Sequence, residues 1–161
     1  MNNKISILSI AFVMLSLVSF TQSTTYQGAW FEVKYPQDFT AKGSMASETS
    51  DGFDSAIFTS PDKDVSFYVY SPQWSGEAKD ISLQSNEKLA STKTDNSDEK
   101  SLEWWTIVAL DQSYSRSYQK TTDIASNTMF VIGIKYKNQA SFDRYKKQYI
   151  AFKGSLKQFA D

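Results

Sequence analysis

Two residue types are missing from this sequence altogether. None of its 161 residues is cysteine or histidine. Without cysteine there is no disulfide framework, thiol nucleophile, iron–sulfur cluster or thiolate zinc site. Without histidine there is no Ser-His-Asp triad, no imidazole base near neutral pH and no ordinary zinc or copper site. Chemistry would have to come from carboxylates, lysine, arginine, tyrosine or hydroxyls, and we predict no metal and no cofactor.

The longest apolar run stands at the start of the chain. Lys4 precedes a stretch from Ile5 to Phe20 that is mostly apolar, and Thr21 and Ser23 have the small size expected at the −3 and −1 positions of a cleavage site. A run of about 16 residues is too short to span the hydrocarbon core, which needs roughly 20. We therefore predict a signal peptide at residues 1–23 and no membrane span after its removal. Because no cysteine is available for lipidation, the expected location is the periplasm or the extracellular space.

The net charge of the chain is small. Removing 23 of the 161 residues leaves 138, and the loss of Lys4 leaves 16 basic against 18 acidic residues, a net charge of −2. Such a surface gives no electrostatic reason to expect nucleic acid as a partner. The length of residues 24–161 predicts a single domain. Its core must stabilise the fold without disulfides, and 4 Trp, 9 Tyr and 11 Phe supply the apolar area.

Alternating apolar and polar residues predict six strands. They cover residues 29–35, 55–60, 65–71, 102–110, 113–121 and 128–137. The second and third form a hairpin, and the last three form an antiparallel meander. Residues 102–110 are apolar on both faces, which predicts a strand in the middle of a sheet covered on each side.

The polar segment 73–101 separates these groups of strands. Residues 84–94 contain neither glycine nor proline and are predicted as a short helix. Residues 93–100 are charged and polar throughout, so we expect a solvated surface loop there. Of the whole chain, this is the segment that we expect to be most prone to disorder.

The clearest periodicity lies at the C-terminal end. Apolar residues three or four positions apart predict one buried stripe on a helix of about twenty residues, with Ser141 as its N-cap. The stripe consists of Phe142, Tyr145, Tyr149, Phe152, Leu156 and Phe159. The predicted fold class is therefore α+β: a twisted antiparallel sheet flanked by helices, with a long amphipathic C-terminal helix.

One strand has a face suited to a ligand. Tyr114, Arg116, Tyr118 and Lys120 project from the same side of residues 113–121 and could hold an anionic or planar group. The alternative is that segment 73–101 covers this face and that Arg116 pairs with one of its acids.

A second aromatic set offers another candidate surface. Tyr68, Tyr70 and Trp74 could form a platform on which a sugar stacks, or could simply pack under a loop. Paired carboxylates could hydrolyse glycosides, and Asp51, Asp54 and Asp111 lie near aromatic residues. Turn-forming roles for Asp51, Asp111 and Asp123 are the competing interpretation.

Three short stretches resemble a known family. They are Phe31-x-Val33-x-Tyr35-Pro36, the hairpin from Ser60-Pro61 through Val65–Tyr70, and the closing residues 152–159. Together they are similar to the PsbP/Mog-like α/β sandwich family, which includes the photosystem II oxygen-evolving-enhancer subunit, over most of residues 28–160. The resemblance implies a twisted antiparallel sheet with helices on both faces, in a small exported bacterial protein. It brings no function, and no metal site can be transferred to a chain without histidine.

These observations favour an exported, non-enzymatic binding or accessory module for a protein or small ligand. The alternative is a carboxylate-dependent hydrolase acting on carbohydrate or cell-envelope material. A third possibility is a structural or assembly protein without a ligand.

Overall fold

The computed structural model describes residues 22–159. Nearly all of the predicted signal peptide lies outside them. The strands are β1 (Ser23–Gln27), β2 (Phe31–Pro36), β3 (Thr40–Gly43), β4 (Ser55–Thr59), β5 (Val65–Tyr70), β6 (Glu87–Asn96), β7 (Lys100–Ala109), β8 (Ser115–Asp123), β9 (Thr128–Tyr136) and β10 (Lys157–Gln158). One α-helix, α1 (Gln139–Gly154), lies between β9 and β10.

The strands form two antiparallel sheets. The larger has seven strands in the order β3-β4-β5-β9-β8-β7-β6, and the smaller has the order β1-β2-β10. The predicted hairpin (β4 and β5) and meander (β7, β8 and β9) are confirmed. The α+β class is also confirmed, with strands dominating and a single C-terminal α-helix in the part of the chain that the structure describes.

The main core lies between the large sheet, the small sheet and α1. Phe31, Phe58, Phe67 and Phe152 are almost completely buried there, each gaining roughly 1.5–3 kcal/mol from burial. The Phe58 and Phe152 ring centres are 5.1 Å apart and the Phe67 and Phe152 centres 5.2 Å apart. We call the face of the large sheet toward α1 the inner face and the opposite one the outer face.

The helix is shorter than predicted and starts earlier. Asn138 is its N-cap, because its side-chain oxygen accepts a hydrogen bond of 2.9 Å from Ser141 N. After Gly154 the chain straightens into β10, where Lys157 pairs with Glu32 of β2. The prediction of Ser141 as N-cap was therefore wrong, and the last residues of the predicted stripe lie beyond the helix.

The predicted helix at 84–94 and loop at 93–100 were also wrong. Both fall mostly in β6 and β7, which form a long hairpin closed by a hydrogen bond of 2.8 Å from Ser97 N to Lys100 O. Because β6 is an edge strand, exposed along most of its length, it needs no alternating apolar residues. Its sequence is therefore as polar as that of a loop.

The position of β7 differs from the prediction as well. It lies next to the sheet edge rather than in the middle, and residues 101–106 are only half-buried. The cause is that α1 packs mainly against β2, β5 and β9 and leaves this end of the inner face uncovered.

The outer face is covered without an α-helix. Residues 71–86, which we call the strap, cross it between β5 and β6 and contain a single 3-10 turn, Lys79–Ile81. The expectation of helices on both faces is therefore wrong for residues 22–159. In the same range, no helix has the length and apolar character needed to cross a membrane.

Candidate functional site

The strap is held on the outer face by two carboxylates. At its 3-10 turn, Asp80 accepts hydrogen bonds of 2.7 Å from both the Tyr68 and the Ser55 hydroxyls. Ile81 follows and is buried in a small cluster with Tyr68 and Tyr118. The strap is thus fixed through its middle by polar and apolar contacts together.

The second attachment is an ion pair between Arg116 of β8 and Glu87 at the start of β6. Arg116 Nε lies 2.8 Å from Glu87 Oε1, and Nη2 lies 2.5 Å from Oε2. The remaining donors of Arg116 bond to Ile81 O, Ser82 O and the Tyr118 hydroxyl, at 2.8, 3.0 and 3.0 Å. A guanidinium has five N–H groups. All five are therefore satisfied within the protein, and none is left for a ligand.

Glu87 is buried with Arg116 but stays ionised. Burial alone would raise its pKa, yet hydrogen bonds from Arg116, the Tyr114 hydroxyl and Gln84 N outweigh that effect and lower the pKa to about 2. The side chain is 2% exposed. Glu87 therefore serves as a fixed anion that joins the end of the strap to β8.

Tyr118 supports the strap from below. Its ring lies against Gly133 of β9, where an added Cβ would come within 2.2 Å of Tyr118 Cδ1. It stacks on Trp105 with ring centres 5.4 Å apart and meets Tyr68 edge-on at 5.7 Å. Burial raises the pKa of Tyr118, so its hydroxyl stays protonated.

Two cavities of similar size open on either side of the strap. The first, which we call the apolar cleft, measures about 340 Å³ and has Trp105, Met129 and Val131 among its walls. Leu83 of the strap and Leu89 of β6 flank it, with 55% and 52% of their surfaces exposed. Its charged groups include Lys120, whose Nζ lies 3.0 Å from Glu103 Oε1.

The second cavity, the tyrosine cleft, also measures about 340 Å³. Tyr68, Tyr114 and Tyr118 line it together with Arg116 and Lys135. Lys135 Nζ lies 3.7 Å from the centre of the Tyr114 ring, a cation–π contact.

The strap thus divides the predicted ligand-binding strand. Tyr114 and Arg116 face the tyrosine cleft, Tyr118 is buried beneath the strap, and Lys120 lines the apolar cleft. The alternative considered for Arg116, a pair with an acid of segment 73–101, is what the structure contains. Arg116 therefore positions the strap, and a ligand would have to use its neighbours.

The second aromatic set is also split. Tyr68 binds Asp80, whereas Tyr70 and Trp74 line a third cavity of about 250 Å³. Glu48, Asp54 and Glu77 line the same cavity. The three residues therefore do not form one platform. Tyr70 and Trp74 share a pocket, whereas the Tyr68 hydroxyl is bonded to the strap.

The acids considered for catalysis have different surroundings. Asp111 and Asp123 each accept hydrogen bonds from a serine two or three residues later, which are turn contacts that lower their pKa values. Asp54 is different, because its Oδ1 is buried without a partner among the described residues. Burial raises the pKa of Asp54, a Ser47 hydrogen bond opposes this, and Glu48 adds to it.

Sequence reasoning missed two residues of this region, Glu87 and Lys135. Residues 84–94 were predicted as a helix, so nothing marked Glu87, among the acids of segment 73–101, as the partner of Arg116. Lys135 directly opposes Arg116 in the register of β8 and β9. Pairing the two predicted strands could have found it. Within residues 22–159, no group of three or more acidic side chains is arranged to hold a metal ion.

Taken together, the elements define a PsbP-like α+β fold, with a helix on one face of the large sheet and a strap on the other. The solution structure of cyanobacterial PsbP (CyanoP) from Synechocystis sp. PCC 6803 is similar, with a TM-score of 0.53 and 12% sequence identity. The match covers 88% of this chain and 95% of that one. No protein-family model and no curated protein sequence matches. The resemblance predicted from the sequence is confirmed for the fold.

Proposed function

We propose that this chain is an exported, non-enzymatic binding module whose ligand enters the apolar cleft. One observation carries the proposal: Leu83 and Leu89, each more than half exposed, flank a cavity walled by Trp105 and further apolar side chains. Covering the exposed parts of both leucines would contribute roughly 1.5–3 kcal/mol. The predicted signal peptide supports export.

The size and rim of the cleft favour a small molecule that is mainly apolar. A volume of about 340 Å³ falls at the small end of the range known for ligand pockets. The Lys120–Glu103 pair is partly exposed, and such pairs hold together weakly. It can therefore open and leave Lys120, which lines the cleft, free to donate to a polar end group of the ligand.

A neutral fluorescent probe tests the proposal directly. N-phenyl-1-naphthylamine should bind saturably, with a Kd of roughly tens to hundreds of micromolar for a ligand of its size. Leu89→Asp should weaken binding at least tenfold, because it places a carboxylate beside the cavity. The matched control is Ile150→Asp on α1, a similarly exposed residue on the other side of the sheet. Equal affinities of the two variants would disprove the proposal.

A hydrolase remains a second candidate because of the third cavity. Asp54, Glu48 and Glu77 line it beside Trp74, which is 43% exposed and could stack on a sugar ring. Burial raises the pKa of Asp54, as a general acid requires. Release of p-nitrophenol from p-nitrophenyl glycosides, or of soluble fragments from purified cell wall, should then occur and be abolished in Asp54→Asn. No release by the wild-type protein removes this candidate.

A further inference from the structure

A group of lysines lies at the far end of the outer face, away from the apolar cleft. A cavity of about 300 Å³ lies between the turn that joins β4 to β5 and the beginning of β8. Lys63, Lys135 and Lys137 line it, with Ser66 and other polar groups between them. We call it the lysine groove. It adjoins the tyrosine cleft, with which it shares Ser66, Tyr114 and Lys135.

Lys135 is held in the groove without a counter-charge. Its ammonium lies over the Tyr114 ring, which is itself fixed because the Tyr114 hydroxyl donates a hydrogen bond of 2.7 Å to Glu87. Among residues 22–159, no carboxylate forms an ion pair with Lys135. The charge is therefore positioned in advance and has no partner in the part of the chain described.

The electrostatic environment of Lys135 favours an incoming anion. Partial burial lowers its pKa, the charge of Arg116 lowers it further, and Glu87 only partly offsets this. Burial and the charge of Arg116 thus both disfavour the ammonium in the absence of a ligand. A negative group beside Nζ would offset them.

The other two lysines are weakly compensated. Lys137 Nζ lies 3.6 Å from Asp64 Oδ1, and its side chain is 65% exposed. The other oxygen of Asp64 already accepts from Arg144, at 2.9 Å, and from the Ser141 hydroxyl, at 3.2 Å. Asp64 is the single acid lining the groove, and its charge is shared with Arg144 outside it.

Lys63 occupies an unusual backbone position. Its φ of 61° lies in the left-handed region, where glycine or asparagine is the ordinary choice. The turn would therefore be at least as stable with glycine at this position. A lysine there is not explained by local conformation, whereas it does make a third lysine in the lining of the groove.

We propose that the lysine groove binds a small soluble oxyanion carrying two or more negative charges, such as a phosphate ester or a polycarboxylate. Three lysines from two places in the chain line one cavity together with a single acid, in a protein whose formal net charge is −1. A concave site with an excess of one sign of charge concentrates ligands of the opposite sign. The site is separate from the apolar cleft and does not depend on the function proposed for it.

Calorimetric titration with inorganic pyrophosphate and with citrate tests the proposal. We expect saturable binding to the wild-type protein that weakens as salt is added. Lys135→Met should reduce the affinity at least tenfold, and Lys135→Arg should retain most of it. Lys63→Gly should reduce the affinity several-fold without lowering the thermal midpoint, which separates a lost contact from a damaged fold.

Lys146→Met is the matched control, because it removes an exposed lysine of α1 with the same change in net charge. If Lys146→Met weakens binding as much as Lys135→Met, the effect is one of overall charge and the proposal fails. It also fails if neither anion binds. A third arm uses vesicles with anionic lipid headgroups: binding to vesicles but not to the soluble anions would overturn the assignment to a small soluble ligand.

Discussion

Arg116 shows how a residue with the chemistry of a binding site can be used entirely inside a protein. Its guanidinium bonds to two strap carbonyls, to Tyr118 and to both oxygens of Glu87. Neither partner of this buried pair can be removed without leaving the other unsatisfied. One side chain thus makes all the contacts of the second attachment of the strap, beside the first one at Asp80.

Replacing Arg116 should therefore destabilise the protein strongly. Arg116→Ala leaves the Glu87 carboxylate buried and unpaired, so we expect a loss of about 3–5 kcal/mol in the free energy of unfolding. Arg116→Lys keeps the charge but has fewer donors, and should fall between that variant and the wild type. Urea unfolding followed by tryptophan fluorescence measures both.

Lys120→Ala, which breaks a partly exposed pair, is the control and should cost less than about 1 kcal/mol. Similar losses for Arg116→Ala and Lys120→Ala would contradict the structural role.

The lowered pKa of Glu87 predicts that the protein loses stability in acid. Its pKa falls from 4.5 to about 2 in the folded protein, so the folded state favours the ionised form. The resulting stabilisation is fully present above pH 4.5 and is lost as the pH falls toward 2. At roughly 1.4 kcal/mol per pKa unit, the contribution is on the order of 3 kcal/mol.

Unfolding of the wild type and of Glu87→Gln, compared from pH 2 to pH 6, isolates this contribution from that of other carboxylates. The difference between their free energies of unfolding should be largest above pH 4.5 and should shrink toward pH 2. A difference that stays constant with pH would show that Glu87 does not titrate as stated.

At the level of elements, the place of Tyr118 under the strap depends on the glycine opposite it in β9. Tyr118 and Gly133 are direct neighbours in the register of these strands. The ring occupies the space that a side chain at position 133 would need, and it packs in one cluster with Ile81. The absence of a side chain at one position thus gives Tyr118, a wall of the tyrosine cleft, its place.

Gly133→Ala should disturb this packing. The new Cβ would lie 2.2 Å from Tyr118 Cδ1 and 3.1 Å from Ser117 O, so the ring must shift and its stacking on Trp105 would be disturbed. We expect a loss of about 1–3 kcal/mol in the free energy of unfolding, as for overpacked cores.

Gly154→Ala is the matched control, because no atom lies within 4 Å of its Cβ position. It should be neutral or stabilising by up to about 1 kcal/mol. Thermal unfolding of the two variants distinguishes them, and equal shifts would contradict the contact.

The same elements show what could be predicted from the sequence. β4, β5 and β9 each bury apolar side chains on at least one face, so their alternation was readable. β6 was missed although its partner β7 follows it directly, because an exposed edge strand carries no apolar alternation. The alternative for Arg116 anticipated that segment 73–101 covers β8, but not the contacts with Ser55 and Tyr68 that fix the strap, which lie far along the chain. The candidate strand was correctly placed as β8, but its division by the strap has no local signal.

At the level of the whole molecule, the two faces of the large sheet have different roles. The inner face is covered at its β5 and β9 end by α1 and the small sheet, over a core rich in phenylalanine. The outer face carries the strap and four cavities, the lysine groove among them. The larger apolar core thus lies on one side of the sheet, whereas the proposed binding sites lie on the other, beside the buried Arg116–Glu87 pair.

The predicted cleavage site lies within β1, so export would shorten this strand. Cleavage after Ser23 would remove the Ser23–Pro36 pair and the hydrogen bond from Gln37 N to Gln22 O. The four pairs from Thr24–Tyr35 to Gln27–Glu32 would remain, so β1 would still add an edge to the small sheet. We therefore expect a chain beginning at Thr24 to fold, with a free energy of unfolding within about 1–2 kcal/mol of a chain beginning at Gln22.

Expression of the full sequence in a bacterium, followed by N-terminal sequencing of the protein from the periplasmic fraction and the medium, should give Thr24 as the first residue. Recovery of the protein only from the cytoplasm, beginning at Met1, would show that residues 1–23 are not a signal peptide.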